Sequence, residues 1–153
     1  MNTQQKNWIF QDQEVNTESL PEDAIGFVYL IENTLTGKKY IGKKNLFTNK
    51  ISVKTVIIKS GPNKGTKKKK RTKIPIFSDW QDYYGSSEIL KKEISEVGSD
   101  NYTRTILRFC KSKAEMSYYE AKEQFSRDVL LSDDYYNMWI SVRTHKMHVF
   151  NKV

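Results

Sequence analysis

The chain has one cysteine, two histidines and no long apolar run. One cysteine in 153 residues excludes an internal disulfide framework and a cysteine-based zinc site, and it fits a reducing, cytoplasmic setting. Cys110 is then expected to be a small buried hydrophobe. His145 and His148 stand three positions apart with no carboxylate or thiol beside them, so a solvated tail is expected there rather than a metal pair. No stretch approaches the ~18 consecutive apolar residues that cross a bilayer, and the opening residues do not read as a signal peptide. A disulfide-rich secreted mini-protein, a membrane protein and a zinc finger are set aside. The length suits one domain with one core.

Acidic residues are scarce beyond the first 24 positions. The formal charge is +8 with a pI near 9.4, but residues 1–24 carry Lys6 against five acids, a local −4, which leaves +12 on the rest. A body of that charge attracts a polyanion, because each lysine or arginine set on a phosphate releases condensed counterions. Aromatic residues make up 12% of the chain and add stacking and hydrogen-bonding groups. No basic amphipathic helix of the membrane-lying kind is visible, so nucleic acid is the expected partner rather than a lipid surface.

Residues 1–24 read as an acidic, flexible arm, and residues 25–153 as a single domain. Gly26–Ile31 (GFVYLI) and Lys39–Ile41 are β-rich runs joined by the turn chemistry of Glu32–Lys38, which predicts an antiparallel hairpin. From Asn45 to Pro75 the chain is polar and basic, with Val53, Thr55 and Ile57 alternating and a second hairpin returning from Lys67 to Ile74. Ser86-Ser87 and Gly98 bracket a helix. Tyr102–Phe109 reads as a strand. Ser112–Glu115 opens a longer helix with Ala114, Tyr118, Ala121, Phe125 and Val129 on one face. The expected fold class is α+β: a small antiparallel sheet packed by helices, with a basic insertion after the second strand.

The blocks GFVYLIENTLTGKKYIGKK, WQDYYGSS, YYEAKEQF and DDYYN, in this order, resemble the GIY-YIG nuclease superfamily. They are most similar to small phage-encoded endonucleases of the Seg-like, homing type. The resemblance covers roughly residues 25–140 and implies a DNA endonuclease dependent on Mg²⁺, or another divalent cation such as Mn²⁺, held by a helix glutamate. That role maps to Glu120, with Glu123 as the competitor. It implies Tyr29 as general base and Tyr40 as the group that positions phosphate or water. A phenol has an ordinary pKa near 10, so Tyr29 needs a cationic neighbourhood to act as a base, and Lys43 and Lys44 follow closely enough to provide one. Asn137 maps to a polar support near the metal, or simply closes a turn.

Three features depart from the family pattern, the first being that two residues rather than one stand between Gly26 and Tyr29, a tolerable variant. The arginine usually found about ten residues after the second tyrosine is replaced by lysine, leaving Lys50, Lys44 or a residue of the later cluster to act as a point charge. The accompanying histidine is absent, and Tyr84 is the nearest substitute. The cluster Lys64, Lys67, Lys68, Lys69, Lys70, Arg71 and Lys73 is either a solvated loop or a grip on the backbone of double-stranded DNA; lysines on phosphates position without reading bases. The expectation is a metal-dependent endonuclease of low or degenerate sequence specificity, monomeric by default with assembly on DNA open, working in the cytoplasm (the host's, if phage-encoded). The alternatives are a catalytically inactive DNA-binding module of the same fold and, last, an RNA-binding protein.

Overall fold

The computed structural model describes residues 6–149; residues 1–5 of the expected arm and 150–153 of the tail lie outside the described residues. The chain divides into two compact units, one made of residues up to Leu46 together with those from Asp79 onward, the other of Phe47–Ser78.

The first unit is built on a five-stranded sheet in the order β2-β1-β7-β3-β4. Its strands are β1 Trp8–Phe10, β2 Gln13–Val15, β3 Gly26–Asn33, β4 Lys39–Asn45 and β7 Tyr102–Cys110. The expected β3–β4 hairpin forms, with Tyr29 opposite Gly42 and Ile31 opposite Tyr40. β3 also pairs antiparallel with β7, with an irregularity between Val28 and Tyr29. The sheet is mixed rather than wholly antiparallel, because β1 runs parallel to β7 with Ile9 opposite Thr105.

Much of what the sequence suggests is a loose arm is therefore part of the sheet. Trp8 is buried, its ring edge-on to Phe27 at 5.0 Å and to Tyr29 at 5.2 Å, and its indole N–H donates to the Trp80 carbonyl at 2.7 Å. Gln11 and Asp12 turn the chain at φ 49° and 63°, the two-residue geometry whose twist matches that of the strands it joins. The acids of this stretch face solvent.

Both faces of the sheet are covered, which is why β3 is apolar almost throughout. One face packs Phe27, Tyr29 and Ile31 with Trp80, Leu90 and Tyr102; the other packs Val28, Ile41 and Cys110 with Met116 and Val129. Helix α1, Glu88–Val97, starts where the Ser87 hydroxyl accepts the Leu90 N–H at 3.3 Å and stops at Gly98. Helix α2, Lys113–Ser126, is capped by Ser112, which accepts from Glu115 N–H at 3.0 Å. Its buried face is Met116, Ala121 and Gln124, while Tyr118 and Phe125 of the expected stripe are exposed. A one-turn helix α3, Lys146–Val149, carries His148, whose ring is 5.6 Å from that of His145. Cys110 is buried as expected, and burial raises its thiol pKa to about 12.

Two ionic groups, the half-buried Glu93 and the buried Arg104, tie these layers together. Glu93 on α1 accepts from Tyr102 Oη at 2.6 Å, Asn33 Nδ2 at 2.6 Å and Tyr136 Oη at 2.9 Å. Arg104 on β7 donates to the carbonyls of Gln81 (2.8 Å), Tyr83 (2.9 Å) and Lys6, and its guanidinium lies over the rings of Tyr84 and Trp8. The loop that carries Trp80–Tyr84 is thus held by Arg104 together with the Trp8 indole.

The second unit is a two-stranded ribbon, β5 Phe47–Ile57 against β6 Lys67–Phe77, antiparallel over 11 residues on each side. Its alternation was visible in the sequence; its full length was not.

Candidate active site

β4 is the edge strand of the sheet, and side chains from both faces meet at its rim. Tyr40 packs with the cluster on the α1 side, whereas Ile41 packs on the α2 side. The free edge is covered by the chain beyond α2. Lys39 N–H donates to the Asp134 carbonyl at 2.8 Å and Tyr136 N–H donates to the Lys39 carbonyl at 2.7 Å. Asn137 then replaces the next rung with its side chain: Oδ1 accepts the Ile41 N–H at 3.0 Å and Nδ2 donates to the Ile41 carbonyl at 2.8 Å. Gln124 of α2 donates to the same carbonyl at 3.1 Å. Both ends of the Asn137 amide are thereby engaged in fixing the backbone between Tyr40 and Gly42.

A cavity of ≈470 Å³ opens beside this clamp, and Tyr40, Lys43, Ser86, Glu120 and Asn137 are among its walls. Glu120 reaches it because α2 turns its Met116–Glu120–Gln124 row toward the sheet, a spacing of one helical turn per step. The Lys43 ammonium lies 3.1 Å from Glu120 Oε2 and donates to Ser117 Oγ at 3.0 Å. Burial raises the Glu120 pKa, and Lys43 opposes that rise without cancelling it. Glu123 is turned elsewhere and pairs with Arg127 at 3.0 Å. Tyr40 Oη shares a 2.8 Å hydrogen bond with Ser86 Oγ, and burial lifts its phenol above the ordinary value.

Tyr29 is fully buried and does not line the cavity. Its ring meets those of Tyr40 at 6.2 Å and Tyr83 at 5.9 Å, and its hydroxyl has no well-formed hydrogen bond among the described residues. Burial first, then Tyr83, Tyr40 and the charge of Glu120, hold its phenol well above the ordinary value. The cationic field expected from the neighbouring lysines is directed elsewhere. Lys43 is on Glu120, and Lys44 is on Asp79 at 2.5 Å with its ammonium over the Tyr83 ring.

The glycines of the two blocks have a steric reason. A Cβ on Gly42 would meet Tyr29 Oη, lie 2.7 Å from its Cζ and 3.0 Å from Tyr40 Cε1; a Cβ on Gly26 would lie 2.6 Å from the Lys44 carbonyl and 2.5 Å from Met116 Sδ. Gly42 makes room for the tyrosine pair, and Gly26 lets α2 settle on β3.

The structure brings Tyr40, Lys43, Glu120 and Asn137 to one cavity and sets Tyr29 directly behind Tyr40. Lys50, Lys64, Lys67, Lys68, Lys69, Lys70, Arg71 and Lys73 all belong to the ribbon unit. Ser86, Ser117 and Gln124 were missed as site residues, because hydroxyls and amides carry no signal by themselves. Arg104 was also missed, although Tyr102, Arg104 and Ile106 share the inward period of β7, and a charge at such a position marks a buried anchor.

The sequence matches the family described as "Putative endonuclease segE, GIY-YIG domain" over residues 8–140. A protein of Enterobacteria phage T4, "Putative endonuclease segE", is 30% identical over 113 residues, which are 73% of this chain and 40% of that protein. The chain thus spans about two-fifths of the length of that relative. No solved structure gives a significant match. The match from residue 8 takes in β1 and β2 as well as the tyrosine hairpin and α2, and with it the chain belongs to the SegE GIY-YIG domain family.

Proposed function

We propose that this chain hydrolyses phosphodiester bonds of double-stranded DNA with a divalent cation, magnesium or manganese, held on Glu120. The observation that carries this reading is the meeting of a half-buried carboxylate, an ammonium and a phenol in one cavity at the edge of the tyrosine hairpin.

Among the described residues no three His, Cys, Asp or Glu come together. A single carboxylate on an open cavity is a donor set that suits a hard octahedral ion, which keeps several waters and takes phosphate oxygens as further ligands. Bound there, such an ion would stabilise charge on the phosphoryl oxygens and lower the pKa of a water.

The remaining roles belong to side chains. Lys43, rather than Lys50 or Lys44, is the cation on the cavity wall, and an entering phosphate offers it a second anionic partner besides Glu120. Tyr40 presents its phenol to the cavity and orients a phosphate oxygen or the attacking water. Tyr29 takes the general-base role that the resemblance implies once its hydroxyl, buried behind Tyr40 and off the cavity wall in the free protein, is opened to the attacking water, since a base must come within hydrogen-bond reach of the proton it removes. Burial is the main cause of the high pKa of both phenols and the charge of Glu120 the least, so a cation on Glu120 would remove only that smaller part of the rise. Asn137 and Gln124 are positioning residues that hold the Ile41 peptide. Lysines contact phosphates as point charges and read no bases, so sequence preference is low or degenerate.

The test is nicking of supercoiled plasmid with Mg²⁺, Mn²⁺ or EDTA. Cutting with either metal, none with EDTA, and none by Glu120→Gln is expected; equal cutting by Glu120→Gln or in EDTA would overturn the metal role. Binding to DNA with no cutting under any condition would favour a non-catalytic module.

A further inference from the structure

The excess positive charge of this protein lies in the ribbon. Between Phe47 and Ser78 there are ten Lys or Arg and not one Asp or Glu; the rest of the chain has 16 cations against 18 acids, a net −2. Outside the ribbon the chain carries no net positive charge to attract a polyanion from a distance.

The ribbon's two faces differ. By register, one face carries Ile51, Val53 and Ile57 on β5, opposite Lys73, Arg71 and Lys67 on β6. Those three aliphatic side chains are 53–63% exposed. The other face sets Lys54 directly opposite Lys70 and Val56 opposite Lys68. Like charges facing each other across a ladder destabilise it, and a two-stranded hairpin is marginal in water even without them. This ribbon repels itself and leaves an apolar strip wet. A polyanion with apolar groups between two rows of phosphates would relieve both defects.

We propose that the β5–β6 ribbon is the element by which the chain grips duplex DNA, lying lengthwise in the major groove with its Ile51–Val53–Ile57 face toward the base edges and its lysines on the flanking phosphates. The inference rests on DNA being the substrate. The dimensions agree: the major groove, ~12 Å wide, admits a two-stranded ribbon without deforming the duplex, whereas the minor groove is ~6 Å wide and has to be opened for one. Eleven residues of strand span roughly 36 Å, about one turn of duplex carrying on the order of 20 phosphates. Thymine methyls offer the aliphatic strip an apolar partner. The A-form major groove of RNA is too deep and narrow for side chains to read, so duplex RNA is not the occupant.

The experiment is binding of the full chain to a 30-base-pair DNA duplex in EDTA, by fluorescence anisotropy across 50–200 mM salt. With about six phosphate contacts the affinity should fall roughly 10³-fold over that range, a log–log slope near −5. Lys67→Gln/Lys69→Gln/Lys73→Gln should weaken binding and flatten the slope by up to ~3. Val53→Thr/Ile57→Thr keeps strand-forming residues, so it should lower affinity severalfold with the slope unchanged. Hydrogen exchange of residues 47–77 should slow when DNA is added, which reports on the ribbon without any substitution. An unaltered slope in the triple glutamine variant, no protection of residues 47–77, or equal affinity for an RNA duplex of the same length would overturn the proposal. Each outcome separates it from the cutting reaction. Ribbon-dependent binding without plasmid nicking sinks only the nuclease reading, whereas cutting by a chain whose affinity ignores the ribbon charges sinks only the ribbon.

Discussion

Replacing Tyr29 by phenylalanine separates stability from chemistry at this site. The ring is clamped between Trp8 at 5.2 Å, Tyr83 at 5.9 Å and Phe27 at 6.1 Å, and phenylalanine keeps all of those contacts. What is lost is a hydroxyl that is buried and lacks a well-formed partner. Its removal breaks no well-formed bond, only a weak contact with the Tyr83 hydroxyl, and most of the desolvation penalty of about 1–3 kcal/mol is recovered, less some dispersion. Tyr29→Phe should therefore be as stable as the wild type or up to ~2 kcal/mol more stable, a rise in Tm of no more than ~8 °C for a domain of this size. Tyr102→Phe is the control. Its equally buried hydroxyl donates to Glu93 at 2.6 Å, a charge-assisted bond whose loss should cost about 1.5–3 kcal/mol. Urea and thermal unfolding followed by circular dichroism measure both. Nicking by Tyr29→Phe should fall about 10²–10⁴-fold, the range of a general acid–base group. A Tyr29→Phe protein that loses more than 1 kcal/mol would show that the hydroxyl is satisfied. One that is stable and cuts normally would show that it is idle.

Three further outcomes follow from the same geometry. Gly42→Ala places a Cβ against Tyr29 and Tyr40, and the Tyr29 ring, packed against Trp8, Phe27 and Tyr83, is hemmed in, so unfolding should be easier by about 1–3 kcal/mol; part of that should return in Gly42→Ala/Tyr29→Phe, and strict additivity of the two changes would contradict the contact. Lys43→Met removes the group that holds the Glu120 pKa down, so the acid limb of the cleavage–pH profile should move to higher pH; an unmoved limb would mean that Glu120 ionisation does not govern the rate. At Glu93 burial pushes the pKa up, but the hydrogen bonds from Tyr102, Tyr136 and Asn33 outweigh it and leave it lowered. A depressed folded-state pKa contributes stability that is complete above the unfolded value, near 4.3, and is lost as pH falls through the folded value. The gap in urea midpoint between wild type and Glu93→Gln, worth about 1–2 kcal/mol at neutral pH, should close in acid; a gap independent of pH would exclude the ionised network.

The hairpin of β3 and β4, both caps of α1 and the start of α2 were legible because each has a local cause: runs of strand formers on either side of the turn residues Glu32–Lys38, a serine before a helix, a glycine after it. Residues 8–24 were not, since their polar side chains face water and only Trp8 and Val15 among their strand residues are buried. Nothing in a short polar run says which distant strand it will join. The inward face of α2 misled for another reason. It carries Glu120 and Gln124 because it walls a cavity, and a functional face breaks the apolar pattern by which helices are read. Asn137 was legible as a site residue through the family resemblance, but its two bonds to the Ile41 peptide give it a positioning role. The ribbon's charge was plain in the sequence. That all the excess charge sits in one compact unit emerges only once the boundaries at Leu46 and Asp79 are drawn.

The most direct test of the central claim is single-turnover cleavage of a duplex already bound to saturation, with wild type and Glu120→Gln compared in Mg²⁺ at equal DNA occupancy. The account predicts that both proteins hold the duplex and that only the wild type cuts it. Cutting by both at similar rates would contradict the assignment of the metal, and with it the mechanism, to the cavity at the edge of β4.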